Sequence, residues 1–278
     1  MLFVVIPVFN RWSFTKDCLK SLTLQSNDLF KIIVVDHGST DGTSDKVALQ
    51  FPDVILLKGD KSMWWTAATN VGLRYALNND ASSILTLNND TIADPDYIAE
   101  IFKAADKAPA NALIGSTFID VNTKEVTYRG EIVNWLLQTN SENIWLKAEP
   151  KDGLVPVTHF PGRGLLIPRE VFEKIGLFDE KHFPHYMADY EFTLRAAKKG
   201  FPLFCAWNAK IGTYPEASGA KQLKQAKSLR AYKEHLFGIK GGANLPLFYK
   251  FAIRHCPVYA LPSYLFLGTA RRLIGYWL

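Results

Sequence analysis

Apolar residues fall in short unbroken runs over the first third of the chain, at Leu2–Val8, Lys31–Asp36, Val54–Leu57 and Ser83–Leu87. Runs of that length without polar alternation predict parallel strands covered on both faces. Between them the pattern shifts to a helical period. Trp12–Gln25 puts Phe14, Cys18, Leu19 and Leu22 on one face, Thr43–Phe51 follows a Gly-rich turn, and Ala67–Leu77 aligns Ala68, Val71 and Tyr75. The succession βαβαβαβ predicts an α/β fold built on a doubly wound, mostly parallel sheet. Beyond Pro95–Lys107, the apolar run Ala112–Ile119 and the turn Val121–Lys124 predict a hairpin, so the second half is expected to be mixed.

Ligands of such sheets bind at the carboxyl ends of the strands. Those ends read Phe9-Asn10-Arg11, Asp36-His37-Gly38-Ser39, Lys58-Gly59-Asp60 and Asn88-Asn89-Asp90, all polar. The turn Asp36–Thr43 is neither G-x-G-x-x-G nor G-x-x-x-x-G-K-[ST], which disfavours dinucleotide and P-loop folds. In Leu85–Thr91 the apolar run ends abruptly in Asn88-Asn89-Asp90. Oxygen ligands of this kind suit Mg²⁺ or Mn²⁺, which keep most of their shell for water and phosphate. The same composition also suits a turn or a helix cap.

Composition narrows the class. The chain has 278 residues, 48% of them hydrophobic, enough for one large domain with an appendage. Three scattered cysteines without CxxC spacing argue against a disulfide framework or a zinc site and suit a reducing compartment. The first residues read as a buried strand and not as a signal peptide, so a cytoplasmic location is expected. A net charge of +5 does not imply nucleic acid. It is concentrated, however: ten Lys/Arg from Lys221 to Arg272 (including Lys224, Lys227, Arg230, Lys233, Lys240, Lys250, Arg254 and Arg271) face one acid, Glu234. With Phe237, Phe248, Tyr249, Phe251, Tyr259, Tyr264, Phe266, Tyr276 and Trp277 interleaved, this tail suits peripheral attachment to an anionic membrane surface. It equally suits a helical subdomain packing its aromatics on the main domain.

The motifs Val5-Ile6-Pro7-Val8-Phe9-Asn10, Ile33–Thr43, Ala68-Thr69-Asn70-Val71-Gly72, Leu87-Asn88-Asn89-Asp90, Gly162–Glu180 and Asp189–Arg195, in that order, resemble the family 2 glycosyltransferases, inverting enzymes of the GT-A fold. The resemblance covers about residues 1–215 and leaves 216–278 as a basic, aromatic, helical region. Met63-Trp64-Trp65-Thr66-Ala67-Ala68-Thr69-Asn70 looks most like the bacterial polysaccharide branch with its rhamnosyltransferases. It implies a nucleotide-diphospho-sugar donor bound by Pro7, Asn10, Asp36, Asn70, Asn89 and Arg163, with Asp36 accepting from the base. It also implies Asp90 as the ligand of a Mn²⁺ or Mg²⁺ ion bridging the diphosphate.

By the same resemblance Asp189 is the catalytic base, at the head of a helix carrying Arg195. A helix N-terminus is expected to lower its pKa. His37 departs from a more usual Asp, and Ile211–Pro215 lacks the His that often completes the metal shell. Trp64 and Trp65 could stack on a sugar or anchor the core. His182 and His185 flank Pro184 without a further ligand at zinc spacing, so their loop reads as a neighbour of the acceptor. The function implied is transfer of a hexose-type sugar to a hydroxyl of a glycan or lipid-linked acceptor. A non-catalytic relative that binds nucleotide sugar or glycan is the alternative, since Asn88-Asn89-Asp90 holds one carboxylate.

Overall fold

Every residue of β1 (Leu2–Val8) is buried, because the strand is paired along both edges. It runs parallel to β2 (Phe30–Asp36) on one side and to β4 (Ser83–Thr86) on the other, and β2 runs parallel to β3 (Ile55–Lys58). The computed structural model describes residues 1–214 and 228–277. Pro215, Lys221, Lys224 and Lys227, named above, lie outside the described residues. Pro7 fits into a central strand although it cannot donate to a ladder, because pairing with β4 stops at Val5 and Thr86.

The second half is mixed, as the hairpin pattern predicted. Beside β4 lies antiparallel β11 (Leu165–Pro168), followed by β6 (Leu113–Asp120), β12 (Leu203–Thr213) and β10 (Leu154–Pro156). The short strands β5 (Thr91–Ala93) and β7 (Val126–Tyr128) pair with β12 and β6. A separate polar hairpin joins β8 (Glu131–Asn134) to β9 (Thr139–Glu142). Strand order reverses about β1, since β2 and β3 lie to one side and β4 to the other. That reversal opens a crevice at the carboxyl ends of β1 and β4.

The helices α1 (Trp12–Thr23), α2 (Thr43–Gln50), α3 (Trp65–Asn78) and α4 (Tyr97–Lys107) connect the first six strands. α3 lies flush on the sheet at Gly72, where an added Cβ would meet the Val5 side chain at 2.5 Å. This close seat fixes the helix start, and with it Trp64 and Trp65, at the edge of the crevice. Two further helices, α5 (Arg169–Ile175) and α6 (Ala188–Lys198), follow β11.

The C-terminal region forms α7 (Leu229–Phe237), α8 (Leu245–His255) and α9 (Leu261–Ile274). Leu247 and Phe251 of α8 join the main core, while Phe248, Ala252 and Tyr264 form a second cluster between α8 and α9. Gly268 admits the Phe248 ring into α9. Part of the aromatic tail thus packs inward. Ile253, Val258, Tyr259 and Phe266 remain at least 70% exposed. No helix among the described residues is long and apolar enough to cross a membrane.

Candidate active site

The loop after β1 turns through two left-handed residues, Asn10 (φ 57°) and Arg11 (φ 63°). Such backbone is costly for non-glycine residues, and here side chains hold it. Asn10 N–H donates to Ser39 Oγ at 2.6 Å, Thr40 N–H to Asn10 Oδ1 at 2.8 Å, and Trp12 N–H to Asp41 Oδ2 at 3.1 Å. The loops after β1 and β2 therefore form one wall. Asn10 stands on it half-buried, with its side-chain carbonyl committed to the wall. His37 lies stacked on Phe9 (ring centroids 5.2 Å apart), and burial lowers its pKa.

Three residues expected at the nucleotide sit behind this surface. Pro7 is buried within β1 and shapes the loop from beneath. Asp36 is 2% exposed: its Oδ1 accepts from Gly38 and Ser39 N–H at 3.2 and 2.8 Å, and its Oδ2 accepts from Ser44 Oγ. The carboxylate that the resemblance assigns to the base here organises its own loop, because a buried carboxylate draws in the nearest donors. Asn70 is also 2% exposed, with its amide donating to Phe178 O and Glu180 Oε2 and accepting from Phe178 N–H. It pins α3 to the Phe178–Glu180 loop and is not presented to the crevice.

Asn88, Asn89 and Asp90 follow β4 directly, across the crevice from Arg11. Asn88 Oδ1 accepts from the Trp65 indole at 2.9 Å, and Asn89 Nδ2 donates to Thr15 Oγ1 at 3.0 Å. One atom of each amide thus holds the loop. Asp90 differs: its Oδ1 is buried and has no hydrogen-bond partner among the described residues. Its Oδ2 lies 4.0 Å from Arg11 Nη1. A buried carboxylate oxygen left over in this way asks for a cation. Tyr214, edge-on to Phe14 at 4.9 Å, stands where a further His was considered.

Asp189 heads α6. Gly162 N–H donates to its Oδ2 at 2.9 Å and Tyr190 N–H to its Oδ1 at 2.9 Å. The expected downward pull of the helix end is real but loses. Desolvation raises the Asp189 pKa above the usual carboxylate range, and the backbone donors offset it only in part. A carboxyl with raised basicity and donors that orient it suits a general base. Gly162 has no alternative, because a Cβ there would sit 2.5 Å from the Trp65 ring. Trp65 is therefore the shared strut of the site, touching the Asn88 loop and the Gly162 loop at once. Its companion Trp64 faces the other way, toward His185, with ring centroids 5.7 Å apart.

Arg163, the next residue after Gly162, lies with its guanidinium 5.2 Å from the Phe118 centroid and its Nε buried, with no hydrogen-bond partner among the described residues. Gly164 (φ 73°) completes this turn, its N–H bonded to Thr86 O at 2.8 Å. Sequence reasoning missed the pair His159 and Glu131, both buried and joined at 2.8 Å, with His159 edge-on to Tyr190 at 4.3 Å. No motif carries them; their spacing of 28 residues has meaning only in the fold. His182 pairs with Asp179 at 2.9 Å.

The mixed sheet with a crevice at its switch point is the GT-A glycosyltransferase fold, which solved structures share. The Mn²⁺-bound GalNAc-T7 in complex with UDP and GalNAc superposes with a TM-score of 0.61 at 15% identity, covering 77% of this chain and 43% of that one. The mannosyltransferase PcManGT of Pyrobaculum calidifontis, in complex with GDP-Man and Mn²⁺, gives 0.58 at 18% identity, covering 97% and 74%.

The profile of Glycosyl transferase family 2 matches residues 3–176, and the chain belongs to that family. It is 26% identical over 203 residues to the N-acetylglucosaminyl-diphospho-decaprenol L-rhamnosyltransferase of Mycobacterium tuberculosis (strain CDC 1551 / Oshkosh), covering 66% of each chain.

Proposed function

We propose that this chain is an inverting glycosyltransferase moving a hexose-type sugar from a nucleotide-diphosphate donor to a hydroxyl of a lipid-linked or polysaccharide acceptor. The observation that carries the reading is Asp189, held by Gly162 and Tyr190 amides and raised in basicity by desolvation. In the reaction the acceptor oxygen bonds the anomeric carbon from the face opposite the diphosphate. The carbon–oxygen bond to the diphosphate breaks with its electron pair staying on the leaving oxygen, and the acceptor proton passes to Asp189.

Arg163 and the loop around Asn10 line the donor side, and Asn89 holds that side from behind through Thr15. The free oxygen of Asp90 suits Mn²⁺ or Mg²⁺, which bind through one or two carboxylates together with substrate phosphates. Such an ion, held by Asp90, would neutralise charge on the departing diphosphate as a Lewis acid. Solved relatives of the same fold were captured with Mn²⁺.

The rhamnosyltransferase relative is named for a lipid-linked acceptor, and the exposed Ile253, Val258, Tyr259 and Phe266 support peripheral docking at an anionic leaflet, where such an acceptor would be presented. A thermal-shift screen of nucleotide sugars with and without Mn²⁺ tests the donor. NMR of the earliest product then reads the anomeric configuration. Retained configuration refutes the single displacement, and donor binding without transfer or hydrolysis leaves a non-catalytic relative.

A further inference from the structure

Residues 235–278 contain no Asp or Glu. Within them Lys240 lies in the loop between α7 and α8, and its ammonium reaches over the main domain to stand 5.7 Å from the Trp64 ring centroid. Lys240 is exposed, and among the described residues it makes no ion pair. Trp64 in turn faces His185, whose Nδ1 is buried and has no hydrogen-bond partner among the described residues. His185 packs against Tyr186 at 4.5 Å and precedes the base Asp189 by four residues.

The loop that carries His185 is fixed in place. Thr66 N–H donates to Pro184 O at 3.2 Å and Thr66 Oγ1 to Phe183 O at 2.7 Å. Its surroundings are one-signed. Desolvation, and then the charges of Lys240 and His37, push the His185 pKa down to about 4, and among the described residues no carboxylate acts on it in the opposite direction. A ring edge with an unused nitrogen, an ammonium without an ion pair and an aromatic face thus meet around Trp64, and among the described residues no carboxylate pairs with them. Two elements far apart in sequence supply them, one from the catalytic domain and one from the appendage.

We propose that Lys240, Trp64 and His185 form an acceptor subsite for a phosphate or diphosphate ester, the group that joins a sugar to its lipid carrier. The ammonium of Lys240 takes the phosphate oxygens, the free His185 nitrogen accepts or donates at its edge, and the Trp64 face carries the adjoining apolar or sugar portion. Held there, the acceptor directs its hydroxyl toward Asp189. The inference rests on the glycosyl-transfer reading and names the acceptor's anionic group.

The test is calorimetric titration of the full chain with inorganic pyrophosphate and with farnesyl diphosphate, in EDTA so that metal-dependent donor binding is silent. Wild type and Lys240→Arg should bind both, with affinity falling as salt rises. Lys240→Gln should bind about tenfold more weakly, the effect of losing one charge-assisted contact. Trp64→Ala should lose the preference for farnesyl diphosphate over pyrophosphate. A wild type that binds neither probe, or a Lys240→Gln variant that binds them equally well, overturns the subsite. Stabilisation by a nucleotide sugar with Mn²⁺ should be the same in wild type and Lys240→Gln. Its absence in wild type, with diphosphate still bound through Lys240, would instead count against the donor chemistry.

Discussion

Gly162 N–H and Asp189 Oδ2 lie 2.9 Å apart, and the Trp65 ring fills the space where a Gly162 side chain would go. The base is therefore aimed by a backbone amide whose own position is set by an indole that also grips Asn88. Gly162→Ala should push that amide off Asp189 and lower turnover by about 10²-fold, the usual cost of misplacing a reacting group by an ångström. Donor affinity should hardly change. Trimming the obstacle in the double variant Gly162→Ala/Trp65→Leu should recover part of the rate, and strictly multiplicative losses would show that Trp65 is not the obstacle.

Asp189→Asn keeps the shape of the side chain and its contact with Gly162 but cannot take a proton. Turnover should fall by two to four powers of ten, about the worth of a general base, with donor binding kept. The sign of the pH dependence follows from the direction of its shift. The active form is the carboxylate and its pKa is raised, so the rate falls as pH drops through a value above about 4, the ordinary Asp range. An acid limb at or below that range in the kcat profile, or one unchanged in the Asn variant, would remove Asp189 from the step.

Asp90→Ala removes the one carboxylate of its loop that keeps a free buried oxygen. Donor stabilisation by Mn²⁺ should disappear while metal-free nucleotide binding changes little, because the variant loses the only carboxylate of the Asn88-Asn89-Asp90 triplet and leaves the Asn88 and Asn89 contacts with Trp65 and Thr15 in place. Superimposable Mn²⁺ titrations of variant and wild type, followed by thermal shift, would exclude Asp90 as the ligand.

The parallel half was legible because strands buried on both faces must be continuously apolar: Leu2–Val8 appears as β1 residue for residue. The hairpin of β8 and β9 was not, since Thr139–Glu142 is wholly exposed and polar and carries no period. Motif positions mark the strand ends and the loops after them but not where each side chain points. Asp36 and Asn70 illustrate the difference: both are buried, Asp36 accepting from Ser39 N–H and Asn70 donating to Phe178 O, where a ligand contact was expected. Asp189 stands in the first turn of α6, where the sequence had it just ahead of a helix, and its pKa moves up because burial outweighs the amides, and burial belongs to the tertiary structure. Lys240 was only one charge among ten until the fold brought it to Trp64.

Arg254 of α8 ties the appendage to the catalytic domain, with Nη1 2.7 Å from Asp179 Oδ2 and 3.0 Å from Glu191 Oε1. Desolvation acts to raise Asp179, but hydrogen bonds from Arg254 and His182 outweigh it and hold the pKa at about 2. Glu191, fully buried, is likewise lowered on balance: desolvation is outweighed by His255, Arg195 and Arg254. Both carboxylates are depressed in the fold, so their contribution is complete above the unfolded-state values near 4 and is lost as pH falls toward 2. Arg254→Met should cost about 1–3 kcal/mol at neutral pH, less than stripping a fully buried pair because Arg254 is partly exposed and Arg195 still faces Glu191. In urea unfolding the gap between variant and wild type should be largest at pH 7 and narrow steadily below pH 4. A gap of constant size across that range would mean that Arg254 acts through the packing of its stem, and the ion pairs would not be what fastens the appendage.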